Sequence, residues 1–289
     1  MDLKKIKRDK TIQELLEFGI INIDKPAGPT SFDVSDFVRK KLKIRKTSHF
    51  GTLDPNVTGV LPIALNRACK LTGFFIGHDK EYVGIMRIHE EISLEQIQKV
   101  IDEKFKGVIK QTPPVKSRVK RQEREREIKS FNLFDQEGKD IVFVTDVQGG
   151  TYIRKLISDL GDELKVGAHM LELRRIRAGI FNEETSVTLY EFERAVEEFE
   201  KGNEDLLKDM IVPAEIISEI FPVVQIMGGN LEKIFTGKPI HFDDLEKKEK
   251  VSKGEIVCVF MKDRFVGVYE VVNNKDIFAK AKFVLQPIK

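Results

Sequence analysis

The chain has 289 residues, of which 41% are apolar and 33% charged, a globular composition somewhat rich in charge. No apolar run approaches the roughly 20 residues that a membrane span needs, and the charged start MDLKKIKRDK leads into no apolar signal core, so a cytoplasmic protein is expected. Two cysteines far apart argue against a disulfide framework. Five histidines without an HExxH motif or cysteine partners give no reason to expect a metal. A net charge of +2 hides two cationic stretches: 39–46 holds six basic residues and no acid, and 110–129 holds eight basic and three acidic residues. Such stretches suit a polyanion, although a solvated face has the same composition.

In chain order, Thr11-Ile-Gln-Glu14 is a capping box for a helix that stops at Gly19. IINI (20–23) reads as a short buried strand emptying into the turn-rich DKPAGPTS. Ser31 is expected to cap an amphipathic helix with Phe32, Val34, Phe37, Val38 and Leu42 on its apolar side. HFGTLDPNVTGVLPIAL (49–65) combines a turn with an apolar segment, and RACKLTGFF looks helical. KEYVGIMRI (80–88) reads as a strand.

Ser93-Leu-Glu-Gln96 is a second capping box, and its helix should end near Gly107. DIVFVTDV (140–147) and LELRRIRAG (171–179) read as strands. Between them Thr151 should cap a helix with Ile153, Leu156, Ile157, Leu160 and Leu164 on one face. Thr188-Leu-Tyr-Glu191 is a third capping box, opening an acidic helix that runs to Gly202. Near residue 220 the composition shifts to short strands separated by turn residues such as Lys262-Asp263 and Asn273-Asn274, the profile of a small β-rich domain. The order of elements before that point is mixed α+β, without regular βαβ alternation.

Asp54 is the single acid of 49–65, and it follows the cationic run. Aspartate before proline is a commonplace turn residue, and taken alone that is its commoner role. Near cations, however, a carboxylate is available as a nucleophile. Tyr82 by default packs in its strand, Arg154 by default faces water, and His49 either assists Asp54 or touches a phosphate. DKPAGPTS lacks the GxxxxGK[ST] spacing, no GxGxxG follows a strand, and no nucleotide cofactor is called for.

Five segments in this order, NIDKPAGPTS (22–31), SHFGTLDPNVTGVLPIAL (48–65), KEYVG (80–84), GTYIRKLISDLG (150–161) and VGAHMLELRRIRAGIF (166–181), resemble the pseudouridine synthases of the family that holds the bacterial tRNA uridine-55 enzyme and the dyskerin-type synthases. TPPVKSRVKR (112–121) is similar to the archaeal dyskerin-type branch. The C-terminal strands resemble a PUA domain, a small RNA-binding module. Where the family usually has Gly-His-Ser/Thr-Gly, this chain has Ser48-His49-Phe50-Gly51.

The resemblance implies an α+β fold: a mainly antiparallel mixed-sheet catalytic domain over 20–205, and a linker helix with a PUA-like domain over 206–289. Residues 1–19 would form an extension packed on the C-terminal domain. It also implies that Asp54 is the nucleophile, that Tyr82 stacks on the flipped uracil or transfers a proton, and that Arg154 pairs with Asp54 and orients it. Lys25, Pro26, His49 and Leu156 would support them. Arg39, Lys40, Lys41, Lys43, Arg45, Lys46, Lys116, Arg118, Lys120 and Arg121 would hold RNA phosphates. The implied partners are tRNA, rRNA, an H/ACA guide RNA and small accessory proteins of the H/ACA ribonucleoprotein, with no cofactor, metal or membrane. Two other functions are compatible with the same residues: an RNA-binding scaffold that is catalytically silent, and a base-excising hydrolase sharing the nucleophile.

Overall fold

The structure is a computed structural model, and it describes residues 2–113, 120–228, 234–247 and 250–287. The elements in order are α1 (Leu3–Asp9), α2 (Ile12–Glu17), β1 (Gly19–Lys25), α3 (Ser31–Lys41), β2 (Thr47–His49), β3 (Thr58–Leu65), α4 (Thr72–Ile76), β4 (Lys80–Ile88), α5 (Leu94–Lys104), β5 (Gly107–Gln111) and β6 (Arg124–Glu137). They continue with β7 (Asp140–Val147), α6 (Ile153–Glu163), β8 (Ala168–Ala178), β9 (Phe181–Asn182), β10 (Val187–Thr188), α7 (Leu189–Glu200), α8 (Asp205–Met210) and β11 (Ile211–Pro213). The last five strands are β12 (Val223–Gln225), β13 (Ile240–His241), β14 (Ile256–Met261), β15 (Arg264–Asn274) and β16 (Ile277–Val284).

The first eleven strands form one sheet along the path β10-β1-β3-β8-β4-β7-β6-β5, with β11 on β1, β2 on β3 and β9 on β8. Within it β1–β10 and β3–β8 are parallel and the other ladders antiparallel, as expected of a mainly antiparallel α+β fold. A continuous apolar run needs cover on both faces, and β1 and β3 have it. Ile21, Ile23, Leu61, Ile63 and Leu65 face the core under the helices. Ile20, Val60 and Ala64 face a second cluster, which reaches Phe260, Phe265 and Val268 of the C-terminal strands. In β4 the burial alternates, with Lys80, Tyr82, Gly84, Met86 and Ile88 turned inward.

The second sheet runs β12-β14-β15-β16-β13. One face joins the shared cluster, and the other closes a small core around Val257, Val259, Val266, Tyr269 and Val271. Phe18 stacks on Phe265 and Phe283 at centroid distances of 5.6 and 5.9 Å, Ile6 lies in the same cluster, and Lys5 pairs with Asp263. Residues 2–18 therefore bridge the two sheets. The stretch after 206 contributes more than a linker helix, because Ile211–Pro213 pairs with Gly19–Ile21 in the first sheet.

Several local expectations need correction. The cap of α3 is Thr30: its hydroxyl accepts from the Asp33 amide, and the Asp33 carboxylate accepts from the Thr30 amide. Ser31 is buried one residue into the helix, and Phe32 is 70% exposed instead of lying on the apolar side. Likewise Thr151 spends its hydroxyl on the Gln148 carbonyl, and the residue at the start of α6 is Tyr152, which offers no side-chain cap. The helices from the first and second capping boxes stop at Glu17 and Lys104, and Gly19 and Gly107 already begin strands.

Candidate active site

Asp54 lies in the loop between β2 and β3, and that loop is held at nearly every residue. The Ser31 hydroxyl accepts from the Leu53 amide (2.8 Å) and donates to the Leu53 carbonyl (3.0 Å), both buried. That double use explains why Ser31 is not the helix cap. The Lys25 ammonium is fully buried and donates to the carbonyls of Pro26 (2.7 Å) and Pro55 (2.9 Å), while the Gly28 amide reaches the Pro55 carbonyl at 3.0 Å. Burial lowers the Lys25 pKa, and the charge of Asp54 opposes that shift. Lys25 thus ties β1 to the loop through the Pro55 carbonyl just after Asp54, and Pro26 accepts from the same ammonium.

Beneath the loop lies a cationic layer that the sequence did not single out. Arg175, wholly buried, donates to the carbonyls of Val60 (2.8 Å) and Gly51 (3.0 Å). Lys80 donates to those of Ile76 (2.9 Å) and His78 (2.7 Å), and burial followed by the charge of Arg175 pushes its pKa down to about 8. Gly59 pairs with Arg175 at a φ of +100°, and a Cβ there would stand 2.2 Å from the Arg175 carbonyl oxygen, so only glycine fits. The available signal was a pair of basic residues, Arg175 and Lys80, on inward-facing positions of strands; period-2 alternation marks them once the register is known.

Across from the loop, α6 presents Arg154, whose guanidinium meets the Asp54 carboxylate at 2.6 Å. Both side chains are open, 65% and 48% exposed. Ile153 and Leu156 on either side of Arg154 are buried in the same apolar cluster as Leu53, beside Asp54, and as Tyr82 of β4. The apolar face of α6 therefore seats the helix against the loop, and Arg154, one step off that face, is delivered to Asp54. The Tyr82 ring, 7% exposed, belongs to this floor, with its backbone between Thr145 and Arg175.

His49 sits at the end of β2, half-buried, with Nε2 3.2 Å from the Thr52 hydroxyl. Burial first, and the nearby Arg175 charge second, lower its pKa, which favours the neutral ring. Phe50, the departure from the family pattern, turns away from the site and stacks on Phe75 at 4.4 Å with a 5° tilt. It fills the second apolar cluster and leaves the His49 side unobstructed.

The run 39–46 is not a bare cationic strip. Arg39 and Lys40 both bind Asp36 at 2.7 Å, Lys41 pairs with Glu193, Lys43 with Glu200 at 2.7 Å and Arg45 with Glu17 at 2.8 Å. Lys46 has no ion pair among the described residues. Lys120 and Arg121 are exposed, whereas Lys116 and Arg118 lie outside the described residues. Two hollows of about 540 and 320 Å³ lie elsewhere, along α5 and between α1 and β15. The Asp54–Arg154 pair itself is open to solvent. Among the described residues no group of three or more His, Cys, Asp or Glu is arranged for a metal ion.

Comparison with known proteins places the chain in the class of pseudouridine synthases, isomerases that act on RNA. Residues 39–153 match the TruB family pseudouridylate synthase N-terminal domain, and residues 154–218 match the tRNA pseudouridylate synthase B C-terminal domain. Probable tRNA pseudouridine synthase B of Methanopyrus kandleri is 41% identical over 254 residues, 87% of this chain and 75% of that protein. Its counterpart in Methanocaldococcus jannaschii is 40% identical over 280 residues, 96% of this chain and 83% of that protein. The chain therefore belongs to the TruB family of pseudouridine synthases. A solved Cbf5–Nop10–Gar1 complex contains a chain with a TM-score of 0.90 at 35% identity, covering 97% of this chain and 89% of that one. A structure of an H/ACA ribonucleoprotein bound to a substrate RNA containing 2'-deoxyuridine gives 0.88 at 33% identity, with 97% and 89% covered.

Proposed function

We propose that the protein isomerises uridine to pseudouridine in RNA with Asp54 as nucleophile, either at uridine-55 of tRNA or, as catalytic subunit of a guided H/ACA ribonucleoprotein, in rRNA. The observation that carries the residue assignment is the 2.6 Å Asp54–Arg154 pair, solvent-open yet built on a loop clamped by Ser31 and Lys25. A nucleophile must be both accessible and preorganised, and a turn aspartate needs neither.

The target uridine, extruded from its stack, enters the open cleft. The Asp54 carboxylate attacks the uracil ring or the ribose C1′ while the N1–C1′ bond breaks. After the base turns, the C5–C1′ bond forms, the carboxylate leaves, the C5 proton is lost and N1 gains a proton. Tyr82 stacks on the base and serves the proton transfer; Arg154 keeps Asp54 aimed. Leu156 packs below, and the neutral His49 offers a hydrogen bond, not a charge, to the backbone.

Residues from about 20 form the catalytic domain, and the second sheet serves as a PUA-like RNA-binding module braced by the N-terminal helices. The pairs along 39–46 are exposed and screened by water and salt, so phosphates can replace their carboxylate partners. Lys46, Lys120 and Arg121 add uncommitted charge, and Lys116 and Arg118 belong to the same proposed track. The 33–35% identity to chains solved with Nop10, Gar1 and RNA supports small accessory proteins as further partners.

RNA tritiated at uridine C5 tests the reading, incubated with and without an H/ACA guide and accessory proteins. Isomerisation releases tritium and leaves the chain intact; free uracil would mean a hydrolase, and neither product a silent scaffold. Asp54→Asn should abolish release while RNA binding stays nearly unchanged. Retained activity in that variant would sink the nucleophile assignment.

A further inference from the structure

The helix that carries Arg154 begins without a cap of the usual kind. Its first amides follow Tyr152, which supplies no side-chain acceptor, and no acid stands in the first turn. What holds this end is Gln111, the last residue of β5, 41 positions upstream and only 2% exposed. Its Oε1 accepts from the Tyr152 amide at 3.0 Å, and its Nε2 donates to the Tyr152 carbonyl at 3.3 Å. One amide side chain therefore grips both polar groups of the residue two places before Arg154. A glutamine suits this because its planar amide carries a donor and an acceptor side by side at any pH.

The turn before the helix is fastened to the same hairpin. The Gln148 amide donates to the Glu127 carbonyl (2.8 Å), and the Glu127 amide donates to the Gln148 side chain (3.3 Å). On the opposite side Gly149 lies so close to Gly77 and His78 that a Cβ would stand 2.8 Å from their carbonyl oxygens. The start of α6 is thus wedged between the β4 entry and the β5–β6 hairpin, and Gln111 is its buried pin.

We infer that Gln111 is a positioning residue for the reaction, fixing Arg154 against Asp54 and coupling the β5–β6 hairpin to the catalytic pair. The inference rests on the assignment of Asp54 and Arg154 above. Since a displacement of about 1 Å at a reacting group can cost on the order of 100-fold in rate, Gln111 acts on turnover and not on RNA affinity.

Single-turnover tritium release should be measured at saturating RNA for the wild type, Gln111→Ala, Gln111→Glu and, as control, Asp54→Asn, with RNA affinity and unfolding midpoints alongside. Gln111→Ala should lower the rate on the order of 10- to 100-fold with affinity within about twofold and a folded protein throughout. Gln111→Glu discriminates further. As a carboxylate it accepts from the Tyr152 amide but repels the carbonyl; once protonated it donates again, and burial favours that neutral form. Its rate relative to wild type should therefore recover as pH falls. A wild-type rate in Gln111→Ala overturns the inference, and so does a Gln111→Glu defect that does not depend on pH. An inactive wild type, or an active Asp54→Asn, would instead strike the assignment beneath it.

Discussion

Arg154→Gln separates a catalytic ion pair from a structural one. The substitution keeps a polar side chain of similar reach and removes the charge that meets Asp54 at 2.6 Å. With the two side chains 65% and 48% exposed, water already solvates both, and the pair contributes at most about 1 kcal/mol to folding. In a chain of this size that moves the unfolding midpoint by no more than about 3 °C. The neighbours that seat the helix, Ile153 and Leu156, are untouched. In the proposed reaction, by contrast, the same charge would orient a nucleophile that must attack and leave, and losing a preorganised electrostatic partner costs about 100- to 1,000-fold. Guanidinium denaturation and single-turnover tritium release on the same preparation read both quantities. A variant that keeps the wild-type rate refutes the role of Arg154. One destabilised by several kcal/mol, with activity falling only as the folded fraction falls, makes the pair structural.

Lys80, 6% exposed with its pKa at about 8 against 10.5 when free, binds fewer protons folded than unfolded between those values. Stability should therefore rise as pH goes from about 8 to 10.5, by roughly 3 kcal/mol, and Lys80→Met should remove that slope in denaturant titrations; an unchanged slope would mean the buried charge is already relieved. In the basic run, the triple replacement of Lys40, Lys41 and Lys43 by Ala should weaken RNA binding and reduce the salt slope by about one for each phosphate left without its lysine. If the slope holds, these lysines serve only Asp36, Glu193 and Glu200.

The contrast among the helix starts shows which features are local. Thr11, Ser93 and Thr188 form the expected capping boxes, because the cap and its partner lie three residues apart and meet wherever the helix goes. Ser31 and Thr151 are cap-type residues without a capping-box partner three residues on, and the first is drawn to Leu53 and the second to Gln148. For Ser31 the partner is buried backbone, which would cost about 1–3 kcal/mol if left unpaired, whereas the Gln148 carbonyl is exposed and Thr151 meets it within a local turn.

What the sequence determined by itself was the set of chemical groups and their local geometry: the strands 80–88 and 140–147, the capping boxes, and the order of segments that singles out Asp54, Tyr82 and Arg154. Tertiary structure decided how those groups are used. It set Arg154 on Asp54 across 100 residues of chain, gave Lys41, Lys43 and Arg45 of the cationic run carboxylate partners on two other helices, and sent Phe50 into an aromatic stack. It also put Arg175 and Lys80 beneath the loop and Gln111 at the root of the helix that carries Arg154. The physical reason is range. Capping and side-chain alternation act within a few residues, whereas ion pairing and the satisfaction of buried polar groups depend on which surfaces the folded chain brings together.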